Sequence, residues 1–574
     1  MGYLTIQSEP LALTHAAVLD MANGQWRRGH TVHVRDGRIE GIEPDGPLRP
    51  GYRAVDCSDK YIVPGLIDTH IHWEGWMGEI LLMNGITTAL DPGSMFPMHW
   101  MQAQKEGLSD GRILGPRLLI AGAMFHGAER PEQGRFLFAD WHPLITEPGQ
   151  AAAAAEKLVE TEGVDCLKAY NFLSLESIGE LAAVARNAGI PSLGHISVSG
   201  KEAARRGLRG LAHGTGLIES VVPQDLLAKA DPIALGTIKT TRPPFFEWFN
   251  HADDSLIDEA LDVFGENGTF IEPDMIHTGG RGGGARVTEY EVEDSAFFQN
   301  PAVGYVPEVF RAEILGYRRI GEWETSSPDV VASAQRGMER LWGILAEHHR
   351  RGGKLLTASG LGHVIPGLSM HRELQLMVDI GLSPLDALRG ATTVAAEFLR
   401  QSDDVGSIDP GKRADLLILD EDPLEDISRT RGIAQIVQHG RLVDMGYHAW
   451  YQNPIPQPVQ EFTFGRSRPR ITALQPPALP VGKRATLEVA GQWFAPHSVI
   501  EIDGRRIPTE FVDNAHLTAE IGPEALPAPG LYEIRVRRPQ PVEHGDLSDA
   551  AEFVVSFGPA DADAAPQQEE EKHA

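Results

Sequence analysis

Between Pro64 and about Arg400 the chain alternates short apolar runs with helical patterns, and no other feature restricts its fold as strongly. The runs ITTALD, PRLLIAG, DCLKAY, IPSLGHI, LRGLAHGT, TFIEPDM and KLLTASG have the apolar character of strands buried on both faces. Segments such as GQAAAAAEKLVETEG and LESIGELAAVARNAG lie between them and read as helices. Strand and helix alternating about eight times predict βαβ units wound into a (β/α)8 TIM barrel over residues 64–400, an α/β fold.

The flanks have a different texture. Residues 1–63 read as short strands (LALTHAAVLD, TVHV, RIEGIEP, YRAVDC, YIV), with Asn23-Gly24 and Asp36-Gly37 placed for tight hairpin turns. Residues 401–445 return to strands and turns in VGSIDPGKRADLLILDEDP and IAQIVQHGRLVDM. Neither set is large enough to bury a core alone, so the two are expected to join as one small composite β-sandwich. Residues 446–469, rich in Pro, aromatic and polar groups, read as a linker. Residues 470–556 carry short alternating strands with regular Gly/Pro turns, which predicts a separate all-β, Ig-like domain. The tail 557–574 is too poor in apolar residues to pack and is expected to be disordered.

Composition narrows the function. At 574 residues the chain exceeds one ordinary core, and 42% hydrophobic with 23% charged residues describes a soluble globular protein. A net charge of −29 opposes binding to phosphate backbones, so no nucleic-acid partner is expected. No apolar run is long enough to span a bilayer. The N-terminus lacks a basic stretch followed by an apolar core, and Cys57 and Cys166 are the only cysteines. Both facts suit a cytoplasmic protein. A homo-oligomer stays open.

The chemistry enters at VPGLIDTHIH. Pro64-Gly65 ends one strand, and the next carries His70 and His72 at positions i and i+2, whose side chains point the same way. At the C-terminal end of the first barrel strand both imidazoles can share a metal ion. Lys168 lies in the strand GVDCLKAY, where a buried amine is costly unless paired or modified. It is either a salt-bridged or strand-end lysine, or an amine of lowered pKa that takes up CO2 as a carbamate. Cys166, two positions back on the same face, reads as packing. His195 and His213 each end a short apolar run that follows a helix, in barrel order behind the first pair.

By these residues the chain resembles the amidohydrolase superfamily, and more closely its imidazolonepropionase- and prolidase-like branch. The resemblance covers about residues 10–445 and includes PGLIDTHIH, PGLSMHRELQLMVDIGLSPLDALRGAT at 366–392 and GSIDPGKRADLLILDEDP at 406–423. It implies one or two divalent ions, with His70 and His72 on the more buried ion and His195 and His213 on the more exposed one. Carboxylated Lys168 would bridge a binuclear site. Zinc suits such donors, with iron, manganese and nickel left open. The implied activity is metal-dependent hydrolysis of a C–N bond in an amide, cyclic amide or small peptide, by water activated at the metal. Residues 470–556 resemble the IPT/TIG group of immunoglobulin-like domains in PRITALQPPALPVG, VAGQWFAPHSVIEIDG and GLYEIRVR. That resemblance implies a contact surface, whose ligand the spacing does not give.

One position departs from the pattern. The family ends its eighth strand with an Asp that takes the proton of the attacking water, whereas LLTASGLGH places Gly360 there. No Asp or Glu occurs between Lys354 and His371. Three accounts stand: Asp274 in FIEPDM supplies the base from the preceding strand, His363 supplies it from the following loop, or the barrel binds metal without hydrolysis as an interaction protein. The stretch HTGGRGGGARVTEYE at 277–291 lacks the Gly-Lys-Ser/Thr ending of a phosphate loop and reads as a mobile loop over the barrel mouth. Arg281 and Arg286 on it, with His126 and Tyr170, are candidate contacts for a small amide-type substrate.

Overall fold

The computed structural model describes residues 9–127, 142–229, 242–320, 322–360, 364–458, 469–492, 494, 498–513, 515–537, 547–548 and 550–557. They divide into two compact units, Met1–Pro458 and Val459–Ala574. The tail 558–574 and residues 459–468, like His363, lie outside the described residues.

In the first unit the eight strands of the βα series are β1 (Leu66–Asp68), β2 (Ile86–Asp91), β3 (Arg117–Ile120, continued by Met124–Gly127), β4 (Leu167–Ala169), β5 (Ser192–Gly194), β6 (Gly210–Ala212), β7 (Phe270–Glu272) and β8 (Lys354–Leu355). Neighbours pair in parallel in that order. The first half of β3 pairs with β2 and the second half with β4, so this strand carries the chain from a three-stranded to a seven-stranded sheet. At the other seam the Ser359 backbone N–H and hydroxyl both donate to the Asp68 carboxylate, which ties the end of β8 to β1.

Helices Gln150–Glu162, Leu175–Asn187, Asp254–Asn267 and Pro328–Arg350 separate successive strands. Three of them start on side-chain caps: Ser174 accepts from Ser177 N, Asp253 from Ser255 N and Leu256 N, and Ser327 from Val330 N. Such caps satisfy amides that the first helical turn leaves without partners. Ile67, Leu90, Leu119, Cys166, Leu193, Phe270 and Leu356 pack in one apolar cluster. Two positions along, on the same face, stand polar groups: Lys168 after Cys166, His195 after Leu193 and Glu272 after Phe270. The period of two therefore stacks a polar layer on the apolar floor.

The flanks differ from the expected two-sheet sandwich. They form one hydrogen-bonded eight-stranded sheet, in which strands from Leu11–Pro64 and Leu416–Leu442 are neighbours. The reason lies in its central strand, Leu11–Asp20. Its first half pairs with Arg53–Asp56 and its second half with Tyr61–Pro64. Register shifts around Ala16, beside a left-handed His15 (φ 63°), mark a bulge that bends the strand between those partners. A single sheet bent in this way encloses a core of Leu13, Val18, Val32, Ile62, Leu416 and Val437.

Residues 446–458, the first part of the expected linker, are packed against the first unit. Gln457 Oε1 accepts the Gly75 N–H at 2.9 Å, and Tyr451 and Asn453 donate to the Gly75 carbonyl at 3.3 Å each. Trp100 Nε1 donates to the Pro456 carbonyl at 2.9 Å. This strap thus satisfies the backbone of the loop that leaves β1. In the second unit a four-stranded and a five-stranded sheet share one apolar core, including Leu487, Val489, Ile500, Leu517, Ile534 and Phe553. Among the described residues no helix is long and apolar enough to cross a membrane.

Candidate metal centre

Five strand ends converge on one buried cluster. His70 and His72 follow β1, and both are almost wholly buried. His70 Nδ1 lies 2.5 Å from Glu272 Oε1, and Glu272 also accepts from the Thr69 hydroxyl at 2.6 Å. His72 Nδ1 donates to the Gly93 carbonyl at 2.6 Å. With Nδ1 engaged in each ring, the lone pair falls on Nε2, the arrangement by which outer partners orient metal-binding histidines.

From β4, β5 and β6 come Lys168, His195 and His213. Lys168 is 1% exposed, and its ammonium nitrogen has no hydrogen-bond partner among the described residues. The His195 ring lies 5.0 Å from the His213 ring, which in turn lies 4.4 Å from His70. Tyr170 packs 4.7 Å from His195, within the same neighbourhood.

Beyond β7 the chain turns through Pro273 and Asp274 into a short π-helical turn, Ile276–Gly280. Asp274 is fully buried and left-handed (φ 45°), as is His213 (φ 58°), a backbone state that costs a non-glycine residue roughly 1–3 kcal/mol. The two side chains meet with Asp274 Oδ2 2.7 Å from His213 Nδ1, yet off the hydrogen-bond axis. Donor atoms of His70, His213 and Asp274 all fall within 4.8 Å of one another. Glu373 fixes the turn, accepting from Met275 N at 2.8 Å and Ile276 N at 2.7 Å.

Burial sets the electrostatics. It holds His70, His195 and His213 well below the ordinary histidine range and His72 at about 3, and Lys168 lowers His70, His72 and His195 further. Burial also lowers Lys168 itself and pushes Asp274 well above the usual carboxyl range. Asp68 is raised to about 6 and Asp91 to about 7 for the same reason. The result is a nest of neutral imidazoles beside the Asp274 carboxyl and the Lys168 amine, which lack hydrogen-bond partners among the described residues. A polar cluster left this incomplete is costly on its own, and a divalent cation would supply what it lacks. The donor set fits such an ion.

Other expected contacts lie elsewhere. Arg281 is buried and ion-paired with Asp294, donates to the Ile314 carbonyl at 2.8 Å, and stacks over Tyr317. Its guanidinium is committed inside the protein, so it does not serve as a substrate contact. Arg286 is likewise held, by Asp379 at 2.7 Å and Glu289 at 3.0 Å. The glycine-rich stretch is not a loose lid. Any side chain at Gly282 or Gly283 would overlap the Trp323 indole, so the glycines serve close packing. His126 ends β3 beside His142, whose Nδ1 accepts the Met124 N–H at 2.9 Å.

Three residues of the site were absent from the sequence reading: Glu272, Glu373 and His277. The His277 ring lies 5.2 Å from His213 and is 6% exposed. The only signal for it was its place three residues after Asp274.

Residues 345–443 match the Amidohydrolase family. Adenine deaminase from Paracoccus denitrificans (strain Pd 1222) is 24% identical over 454 residues, covering 76% of this chain and 60% of that protein. The chain therefore spans about three fifths of that relative's length. Adenine deaminase from Serratia proteamaculans (strain 568) is 37% identical over 118 residues, 19% of this chain and 20% of that protein. Among solved structures, a prolidase complexed with N-methylphosphonate-L-proline is similar at a TM-score of 0.53 and 20% identity, over 76% of this chain and 100% of that one. These likenesses establish a TIM-barrel type α/β fold with extra β-rich regions.

Proposed function

We propose that the chain is a metal-dependent hydrolase of a C–N bond in an amide, cyclic amide or small peptide. The convergence of His70, His213 and Asp274 carries this reading. His70, His72, His195 and His213 would hold one or two divalent ions, zinc for this nitrogen and oxygen donor set. Burial lowers the Lys168 amine, and Lys168 would take up CO2 as a carbamate and offer its oxygens to the bound ions. The bound ion would supply Lewis acidity and lower the pKa of water.

The protein's own residues do the rest. Asp274 takes the proton of the attacking water at a carboxylate oxygen, from β7, because β8 provides no acid. His213 stands against Asp274 at 2.7 Å, and Glu272 orients His70. Tyr170, packed on His195, shapes the substrate side of the cluster. Within the same reading residues 470–556 are an IPT/TIG-like contact module, and the chain works in the cytoplasm.

A rival reading, a metal-binding interaction protein without turnover, rests on Gly360. A panel of adenine, dipeptides, hydantoins, simple amides and lactones, run with zinc-loaded protein and Asp274→Asn, separates the two. Turnover of at least one compound, abolished by Asp274→Asn, is the expected result. Turnover untouched by that substitution removes Asp274 from its role. No turnover across the panel by protein that holds zinc supports the rival.

A further inference from the structure

Gly360 is left-handed (φ 70°), and its missing side chain has a definite neighbour. A Cβ built there would stand 2.5 Å from His277 Cβ and 2.8 Å from His277 Cγ. Real Cβ atoms do not tolerate such distances, and the obstacle is the root of an imidazole rather than a flexible tip. The place from which a β8 side chain would project is thus filled by His277. That residue arrives from the turn after β7, which Glu373 holds by two amides and Tyr317 by a hydroxyl donated to the His277 carbonyl at 2.7 Å.

His277 also sits within the imidazole group. Its ring is 5.2 Å from His213, close to the 5.0 Å between His195 and His213 and the 5.5 Å between His70 and His72. Its charge state acts on all four of the other histidines. It is buried, as His70, His72 and His213 are.

We propose that His277 is a ligand of the cation cluster, an imidazole delivered from β7 into the place of the absent β8 side chain. The proposal rests on the reading that the cluster holds a divalent cation. It also changes the character of the centre: an imidazole nitrogen stands where β8 would offer an oxygen donor, while Asp274 keeps a carboxylate in the cluster. Such a centre favours borderline metals such as zinc, cobalt and nickel over hard ones such as magnesium and calcium.

The test uses the full chain loaded with cobalt(II) or zinc. His277→Ala is expected to shift the visible absorption of the cobalt protein and to release zinc to a chelator at concentrations at least ~10-fold lower than the parent. If His277→Ala does not fold, His277→Asn is read by the same spectrum. Gly360→Asp is expected to lower Tm in the parent, and to lower it less when combined with His277→Gly. An unchanged cobalt spectrum and unchanged zinc retention in the His277 variant overturn the proposal. So does a Gly360→Asp protein as stable as the parent. A parent chain that binds neither metal overturns the reading beneath it instead, so the two failures can be told apart.

Discussion

β7 runs into a turn that keeps Asp274 and His277 inside the protein, whereas β8 ends on Ser359 and Gly360 with one hydroxyl and no acid. The first end is strained and braced: Asp274 is left-handed, and Glu373 holds the amides that follow. The second is spent on structure, since Ser359 gives both its donors to Asp68. Neighbouring strands of a barrel aim at one centre, so a functional group lost from one end can be supplied by the next. What must be kept is a side chain at the right point in space.

The sharpest way to break this contrast is to remove each end in turn. Asp274→Asn should lower kcat/KM by about 100-fold or more on any hydrolysed substrate, the scale of a lost general base. Ser359→Ala should leave kcat/KM within a few-fold and instead lower stability by about 1–3 kcal/mol, as a buried carboxylate loses a donor. Equal losses of activity from the two would erase the distinction. Steady-state kinetics beside chemical denaturation provide both readings.

Next in size is the packing of the glycine-rich turn. Gly282→Ala or Gly283→Ala should destabilise by roughly 1–3 kcal/mol, because the new methyl meets the Trp323 indole. A variant that keeps its urea midpoint would restore the mobile-loop picture. The opposite outcome is expected at Gly265, inside helix Asp254–Asn267 with open space around it. There Gly→Ala should raise stability by about 0.5–1 kcal/mol, the smallest effect of the set.

Acid sensitivity separates the histidines of the centre from one that supports the helix behind it. His371 is buried, with Nε2 facing the Asn84 carbonyl and Nδ1 the Thr430 hydroxyl, and burial lowers it to about 3. The unfolded chain binds the proton first, so this residue costs stability as pH falls below about 6.5. His371→Gln should flatten the decline between about pH 4 and 6 by up to ~1.4 kcal/mol per pH unit. An unaltered slope would assign the acid lability to the imidazole cluster.

Much of the fold could be read in the sequence because strand burial imprints a local pattern: Ile86, Ala89 and Leu90 of ITTALD and the Phe270-Ile271 pair are apolar whatever surrounds them. His70, His72 and Lys168 were legible by the same token, through the period of two and the cost of a buried amine. His277 was not. Its meaning comes from Gly360, far along the chain, and no local period links a turn to a neighbouring strand end. The glycine-rich stretch misled because glycine allows both mobility and close approach, and only the Trp323 ring decides between them. The bent flanking sheet escaped as well, since a bulge at His15 leaves no mark beyond an ordinary polar pair within a strand.

The strap across Gly75 has a consequence for the order of assembly. The loop that leaves His72 finds its partner Gln457 382 residues further on. At 5–20 residues per second of synthesis, roughly 20–80 s pass between the two. Through that interval the histidine pair exists but its loop is untethered, and the centre is completed only as the first unit's final residues emerge. Closure of the Gly75 loop is thereby timed to the end of that unit's synthesis, and a chain released early would carry His70 and His72 on a loop without its Gln457 partner.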